Sequence, residues 1–308
     1  MTGFFQKILG KEKRHKQPAE PSHGPDTIPL PPAHVTEVHS SETSAEGQNL
    51  EMPQIVAGCA QSVGRQRDHN EDALFMLTSQ LASDTRQIPF GLYIVADGMG
   101  GHQHGELASA SAIRAMAGYI IRKLYLPLFN QTSSPPSESL QEIVQEGVAE
   151  AHQAIVKQAL GGGTTLTSVL VLGDQMTVAH VGDSRAYLFN AEGEIEILTR
   201  DHSLVRRLVE LGQITDEEAA THPQRNVLYR ALGQGEPFEP DIITIPLPRL
   251  ATILLCSDGL WGVVDQEEIL SIIKTIPAPQ EACQKLIEAA NTGGGPDNIS
   301  AVLVHIQS

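Results

Sequence analysis

Five aspartates stand at the edges of strongly apolar runs, and that placement restricts the folds open to this chain. Asp97 closes FGLYIVA (90–96), Asp183 lies just past the run 177–181, and Asp258 follows the run 251–256. Asp297 stands just ahead of 299–306, and Asp72 just ahead of 73–77. With 167–172 and 186–189, these short β-rich runs bounded by Gly and Asp read as strands. Carboxylates at the ends of buried strands share one rim if the strands lie in stacked sheets, where they repel one another unless cations neutralise them. Any one of them alone reads more readily as a turn residue than as a ligand, since Asp-Gly is a favoured turn dipeptide. Five together, each abutting a strand, favour ligands. An oxygen-only donor set selects Mg²⁺ or Mn²⁺ over zinc.

Helical spacing appears between the strands. Ile113, Met116, Ala117, Ile120, Ile121 and Leu124 fall on one face. Ser139 and Glu142 form an S-x-x-E capping box that opens a second helix through Ile143, Val148 and Ile155. Two more helices follow Asp265 and Ala278, and a short one opens at Ser203. Long helices, then strands in hairpin-like succession, then helices again predict an α+β fold of sheets with helices layered outside, not a doubly wound sheet.

Residues 1–52 read differently. No aromatic residue lies between Phe5 and Phe75, and six prolines fall between Pro18 and Pro32, so this stretch cannot bury enough to fold. The expected organisation is a disordered Pro-rich tail (1–52) and one domain (53–308). Five Lys/Arg and one Glu occupy the first sixteen residues. This basic tip reads either as a solubilising end or as a weak contact with an anionic membrane surface. It lacks the order of a signal peptide, and its first glycine is Gly3, one place later than a myristoylation signal requires. The whole chain carries a net charge of -16, which repels phosphodiester backbones and argues against a nucleic-acid partner. Three separate cysteines without CxxC pairing predict free thiols and a cytoplasmic location.

Smaller signals carry two readings each. His102 and His104 in GGHQHGE are either solvated polar sequence or ligands; His180 reads as a packed strand residue and His202 as a neighbour of the helix start. Arg67, five residues before Asp72, is either a fork for phosphate oxygens or a surface ion-pair former.

Eight segments in order, RDHNED, VADGMGGHQHGELAS, GTTLTSVLV, AHVGDSRAYL, TRDHSLVRRLVELGQIT, RNVLYRALG, LLCSDGLWGVV and GGPDNISAVLV, resemble the type 2C metal-dependent protein serine/threonine phosphatases, bacterial branch. The resemblance covers essentially 55–306 and implies an α-β-β-α sandwich of two antiparallel sheets flanked by helices. It implies that Asp97 bridges two Mn²⁺ or Mg²⁺ ions, with the Gly98 carbonyl on one of them and Asp258 and Asp297 on the other. Glu71 and Asp72 match the acidic pair that supports both ions, Arg67 the phosphate-binding arginine, and Asp183 a weaker third-metal position shared with Asp258. Residues from about 205 to 230 match the flap, an insertion beside the active site. Where eukaryotic members have a histidine after the bridging Asp-Gly, this chain has Met99, so the resemblance assigns the proton donor to metal-bound water.

The expected chemistry is hydrolysis of phosphoserine or phosphothreonine in proteins by metal-activated water, without a phosphoenzyme, since no Cys or Ser lies in a nucleophile motif. The expected partners are phosphorylated proteins, including a cognate Ser/Thr kinase, and the expected state is a monomer. A two-metal phosphodiesterase and a catalytically dead regulator are the competing readings. Net charge weighs against the first; retention of every metal carboxylate weighs against the second.

Overall fold

Alternation along two strands decides the layering. In β3 (Arg86–Ala96), Phe90, Leu92 and Ile94 face one way and Tyr93 and Val95 the other, and both sets are buried. In β11 (Ala251–Cys256), Leu254 and Cys256 oppose Ile253 and Leu255 in the same manner. A strand apolar on both faces needs cover on both. The computed structural model describes residues 53–83, 86–100, 103–129, 137–235 and 239–307 and supplies that cover in four layers.

One sheet has the order β1 (Gln54–Ser62), β12 (Ile299–Gln307), β11, β8 (Arg185–Phe189) and β9 (Ile195–Ile197). The other runs β10 (Asp241–Pro246), β7 (Gln175–Val181), β6 (Leu166–Leu172), β3 and β2 (Ala73–Ser83). All of these pairings are antiparallel. A two-residue ladder joins β4 (Gly98–Met99) to β5 (Gly163–Thr164). Helices α1 (Gln103–Ile120) and α2 (Leu140–Gln158) pack on the β3 sheet through Met116, Ile120, Ile143 and Ile155. The insertion between β9 and β10 contributes α3 (Leu204–Glu210) and α4 (Asp216–Ala220). A single turn, α5 (Asp258–Trp261), follows β11; α6 (Gln266–Thr275) and α7 (Pro279–Thr292) then cover the other sheet through Ile269 and Leu286. The result is the expected α-β-β-α sandwich. Among the described residues no helix is long and apolar enough to cross a membrane.

Local signals explain the helix starts. Ser139 caps α2 with the reciprocal Glu142 bonds of a capping box, and Asp265 caps α6 through the Glu268 N–H at 2.8 Å. The stripe expected over 113–124 bends at its end. After α1 the backbone widens to a π turn over Ile121–Tyr125, so Leu124 stays in the core while Ile121 is half-buried. Further differences concern strands. β2 runs on to Ser83, past the expected end at 77, β3 begins at Arg86 rather than 90, and β1, β9, β10 and the short β4 and β5 were not anticipated. β10 is an edge strand pairing only with β7, and its exposed and half-buried residues blunt the apolar signal. The expected tail and His102 lie outside the described residues.

Candidate metal centre

The strand ends converge as anticipated. Asp97 follows β3, Asp72 precedes β2, Asp258 follows β11, Asp297 precedes β12, and Asp183 sits where the chain crosses from β7 in one sheet to β8 in the other. The carboxylates feel one another. Burial, then the charges of Asp72, Asp258, Asp183 and Asp297, raise Asp97 well above the usual carboxyl range. Burial pushes Asp72 up to about 7 against the hydrogen bonds of Ser300 and Ser257, and burial with Asp297 pushes Asp258 to about 6. Asp183 is raised by burial, Asp258 and Asp201.

The supports of these acids are residues to which the sequence reading assigned no role. Asp72 Oδ2 accepts from Ser257 Oγ and Ser300 Oγ, both at 2.7 Å. Asn298 ties the RDHNED loop to β12: its Oδ1 accepts from the Glu71 N–H at 2.7 Å, and its Nδ2 donates to the Val63 and His69 carbonyls at 2.9 and 2.8 Å. The Asp97 N–H donates to Thr165 Oγ1 at 2.9 Å, and the Asp97 carbonyl accepts from Thr164 Oγ1 at 2.8 Å. Trp261 Nε1 donates to the Asp183 carbonyl at 3.0 Å, and Arg185 stacks on the Trp261 ring at 3.6 Å while gripping Asp201 in a bidentate pair. Asp72, Glu71 and Asp97 are held by ordinary Ser, Asn and Thr residues, and only the pairing of β12 with β11 brings Ser257 and Ser300 to the same carboxylate.

Gly98 is required by close approach. A Cβ there would lie 2.3 Å from the Gly105 carbonyl oxygen and 2.5 Å from that of Glu71. This packing holds the Glu71 backbone against Gly98, whose N–H donates to the Glu71 carbonyl at 3.2 Å. Arg67 lies on the rim and donates to Asp297 Oδ2 at 2.7 Å. His104 is exposed at the start of α1, and His180 is buried and bonded to Thr167 at 2.9 Å, as a packed strand residue should be.

Two buried carboxylate oxygens, Asp72 Oδ1 and Asp258 Oδ1, have no hydrogen-bond partner. A buried anionic oxygen without a donor is costly, and a hard divalent cation is the group that satisfies it. Among the described residues no three His, Cys, Asp or Glu side chains close into a ready-made cage. The fit to metal therefore rests on the orphaned oxygens, the crowding of like charge and the all-oxygen donor set, and on these the residues suit Mg²⁺ or Mn²⁺. From Asp183, Asp258 and Asp297 a cleft of about 450 Å³ runs to the α3–α4 insertion, with Trp261 and Val263 on one side and Val205, Val209 and Arg225 on the other.

Comparison with known proteins agrees with this geometry. The family model described as "Protein phosphatase 2C" matches residues 57–299. The serine/threonine phosphatase Stp of Listeria innocua is 37% identical over 241 residues, covering 78% of this chain and 92% of that protein. The crystal structure of the Mycobacterium tuberculosis serine/threonine phosphatase PstP superimposes with a TM-score of 0.68 at 35% identity, covering 82% of this chain and 99% of that one. A PstP catalytic domain in complex with two manganese ions matches with a TM-score of 0.66 at 33% identity, covering 82% and 99%.

Proposed function

The chain belongs to the protein phosphatase 2C family, bacterial branch, and is a metal-dependent serine/threonine protein phosphatase of that type; from this we propose that it hydrolyses phosphoserine and phosphothreonine by direct attack of water, without a phosphoenzyme intermediate. The observation that carries the reading is the rim of aspartates drawn from both sheets, with two buried oxygens that lack partners. Asp97, Asp258, Asp297, Asp72, Glu71 and the Gly98 carbonyl would hold two Mn²⁺ or Mg²⁺ ions, and Asp183 with Asp258 a weaker third. When bound, such ions lower the pKa of a shared water towards neutrality and stabilise negative charge on the phosphoryl group.

The protein's own groups do the rest. Ser257 and Ser300 hold Asp72 in one orientation, leaving its second oxygen to face the site. Arg67, already beside Asp297, presents its remaining N–H groups to the phosphoryl oxygens as a charge-assisted clamp. Met99 has only a thioether and cannot protonate the leaving alkoxide, so that proton comes from water. All three cysteines are free, with burial raising their pKa values, and none is poised as a nucleophile.

Residues 53–308 would form the catalytic domain and 1–52 a tail outside it, consistent with β1 beginning at Gln54. Its targets would be phosphorylated proteins, a cognate kinase among them, met in the cytoplasm by a monomer. The test is Mn²⁺-dependent release of phosphate from a phosphothreonine peptide, abolished by chelation, with a phosphodiester as control. Substrate carrying labelled phosphate should leave no label on the denatured protein. Retained label, or preference for the diester, would refute the reading.

A further inference from the structure

The chain enters the α3–α4 insertion just after His202 and leaves it at Arg230, and both ends meet at one buried imidazole. His202 is 1% exposed. Its Nδ1 accepts the Gly182 N–H at 3.1 Å, which leaves the ring proton to Nε2; that nitrogen faces Asp241 Oδ2 at 3.1 Å, with Arg230 Nη1 3.2 Å away. Arg230 Nη1 reaches Asp241 Oδ1 at 2.9 Å. Backbone bonds close the same junction: the His202 N–H donates to the Gly182 carbonyl at 2.7 Å, and the Tyr229 N–H to the His202 carbonyl at 2.9 Å.

Gly182 adjoins the metal rim. It precedes Asp183, and at φ 110° it packs so closely that a Cβ would lie 2.6 Å from the Thr165 side chain. Thr165 Oγ1 in turn accepts from the Asp97 N–H at 2.9 Å and lies 2.8 Å from Ser184 Oγ. A continuous set of contacts thus leads from Asp97 through Thr165, Gly182 and His202 to Asp241 and both ends of the insertion. The cleft beside the rim is walled by that insertion. No carboxylate of the rim belongs to the insertion, so a shift at its base acts first on the space open to a peptide.

We infer that His202, held by Asp241, is a positioning residue that ties the α3–α4 insertion to the Gly182–Asp183 crossover and thereby sets binding of the protein substrate. The inference rests on the phosphatase reading. A position held equally in ground and transition states appears in KM and not in kcat.

The experiment compares wild type with His202→Asn, His202→Gln and Asp241→Ala on a phosphothreonine peptide and on para-nitrophenyl phosphate, with Mn²⁺. His202→Asn keeps an acceptor for the Gly182 N–H but cannot reach Asp241; His202→Gln does the reverse. Asp241 is half exposed on an edge strand, so Asp241→Ala keeps the fold. We expect Asp241→Ala to raise the peptide KM about fivefold, the size of one lost hydrogen bond of modest strength, with para-nitrophenyl phosphate turnover within about twofold. Each His202 variant should show the same split, and amide exchange should quicken in 204–230 in all three. Parallel losses on both substrates, or no change in Asp241→Ala, would overturn the inference. If wild type hydrolyses neither substrate, the phosphatase reading fails, and the exchange measurement, which needs no substrate, decides the tie by itself.

Discussion

Crowded, buried carboxyls make cation binding a proton-release reaction, and its pH dependence can be worked from the rim. Asp72 stands at about 7 and Asp258 at about 6, against 3.8 for a free aspartate. In the metal-free protein these groups stay protonated when folded while the unfolded chain ionises near 3.8. Their contribution to stability is complete below that value and is lost as pH rises towards about 7. Loading Mn²⁺ at about pH 5 must strip Asp72 of its proton across about two pKa units, a cost of about 3 kcal/mol, with about 1 kcal/mol more for Asp258. At about pH 8 the cost for these two groups nearly vanishes. Since the two groups interact, about 2–4 kcal/mol is the expected combined difference. At roughly 2–4 °C per kcal/mol for a domain of this size, the rise in melting temperature given by Mn²⁺ over chelator should be about 5–15 °C larger at about pH 8 than at about pH 5. His180, His202 and His305, whose buried imidazoles are depressed, gain stability over the same range, but they do so with and without cation and drop out of the difference. Asp72→Asn should lose a clear share of the effect. A Mn²⁺-dependent gain that is flat or falls with pH would refute the assignment of these acids to a cation.

Asp97→Asn should abolish phosphopeptide turnover with near-UV circular dichroism unchanged; retention of a tenth of wild-type rate would show that this carboxylate is not shared between ions. Asp183→Ala should raise the Mn²⁺ concentration needed for half-maximal activity and leave the pair of tighter sites filled, as read by calorimetric titration. Gly98→Ala should lose cation affinity, because its Cβ would force the Glu71 and Gly105 backbones apart, and the same titration reads it. Leu303→Ala, at a fully buried position between β12 and α7, should cost about 2–5 kcal/mol in urea unfolding.

The aspartates were legible because each lies just before or after a strand whose apolar run announces it, and their convergence follows from stacking the sheets. The capping box at Ser139 was equally plain, being local. Ser257, Ser300 and Asn298 were not, since a hydroxyl or amide that will meet one of these carboxylates looks like any other until β11 and β12 pair. His202 shows the same limit. Its partners Gly182, in the crossover after β7, and Asp241, at the start of β10, lie 20 and 39 residues away, so spacing along the chain carries no trace of them. β1 escaped notice because its alternation of exposed, half-buried and buried residues includes Gly and Gln.

The position of β12 has a consequence for how the protein comes into being. This last strand lies between β1 and β11, and its leading residues bring Asp297, Asn298 and Ser300 to acids supplied by segments as early as Glu71 and Asp72. A nascent chain that has not yet delivered residues 297–307 leaves β1 without its partner and Asp72 without one of its two serine donors. The proposed cation site is thus completed only with β12, and a product of translation interrupted before residue 297 lacks it however much of the β3 sheet it has already made.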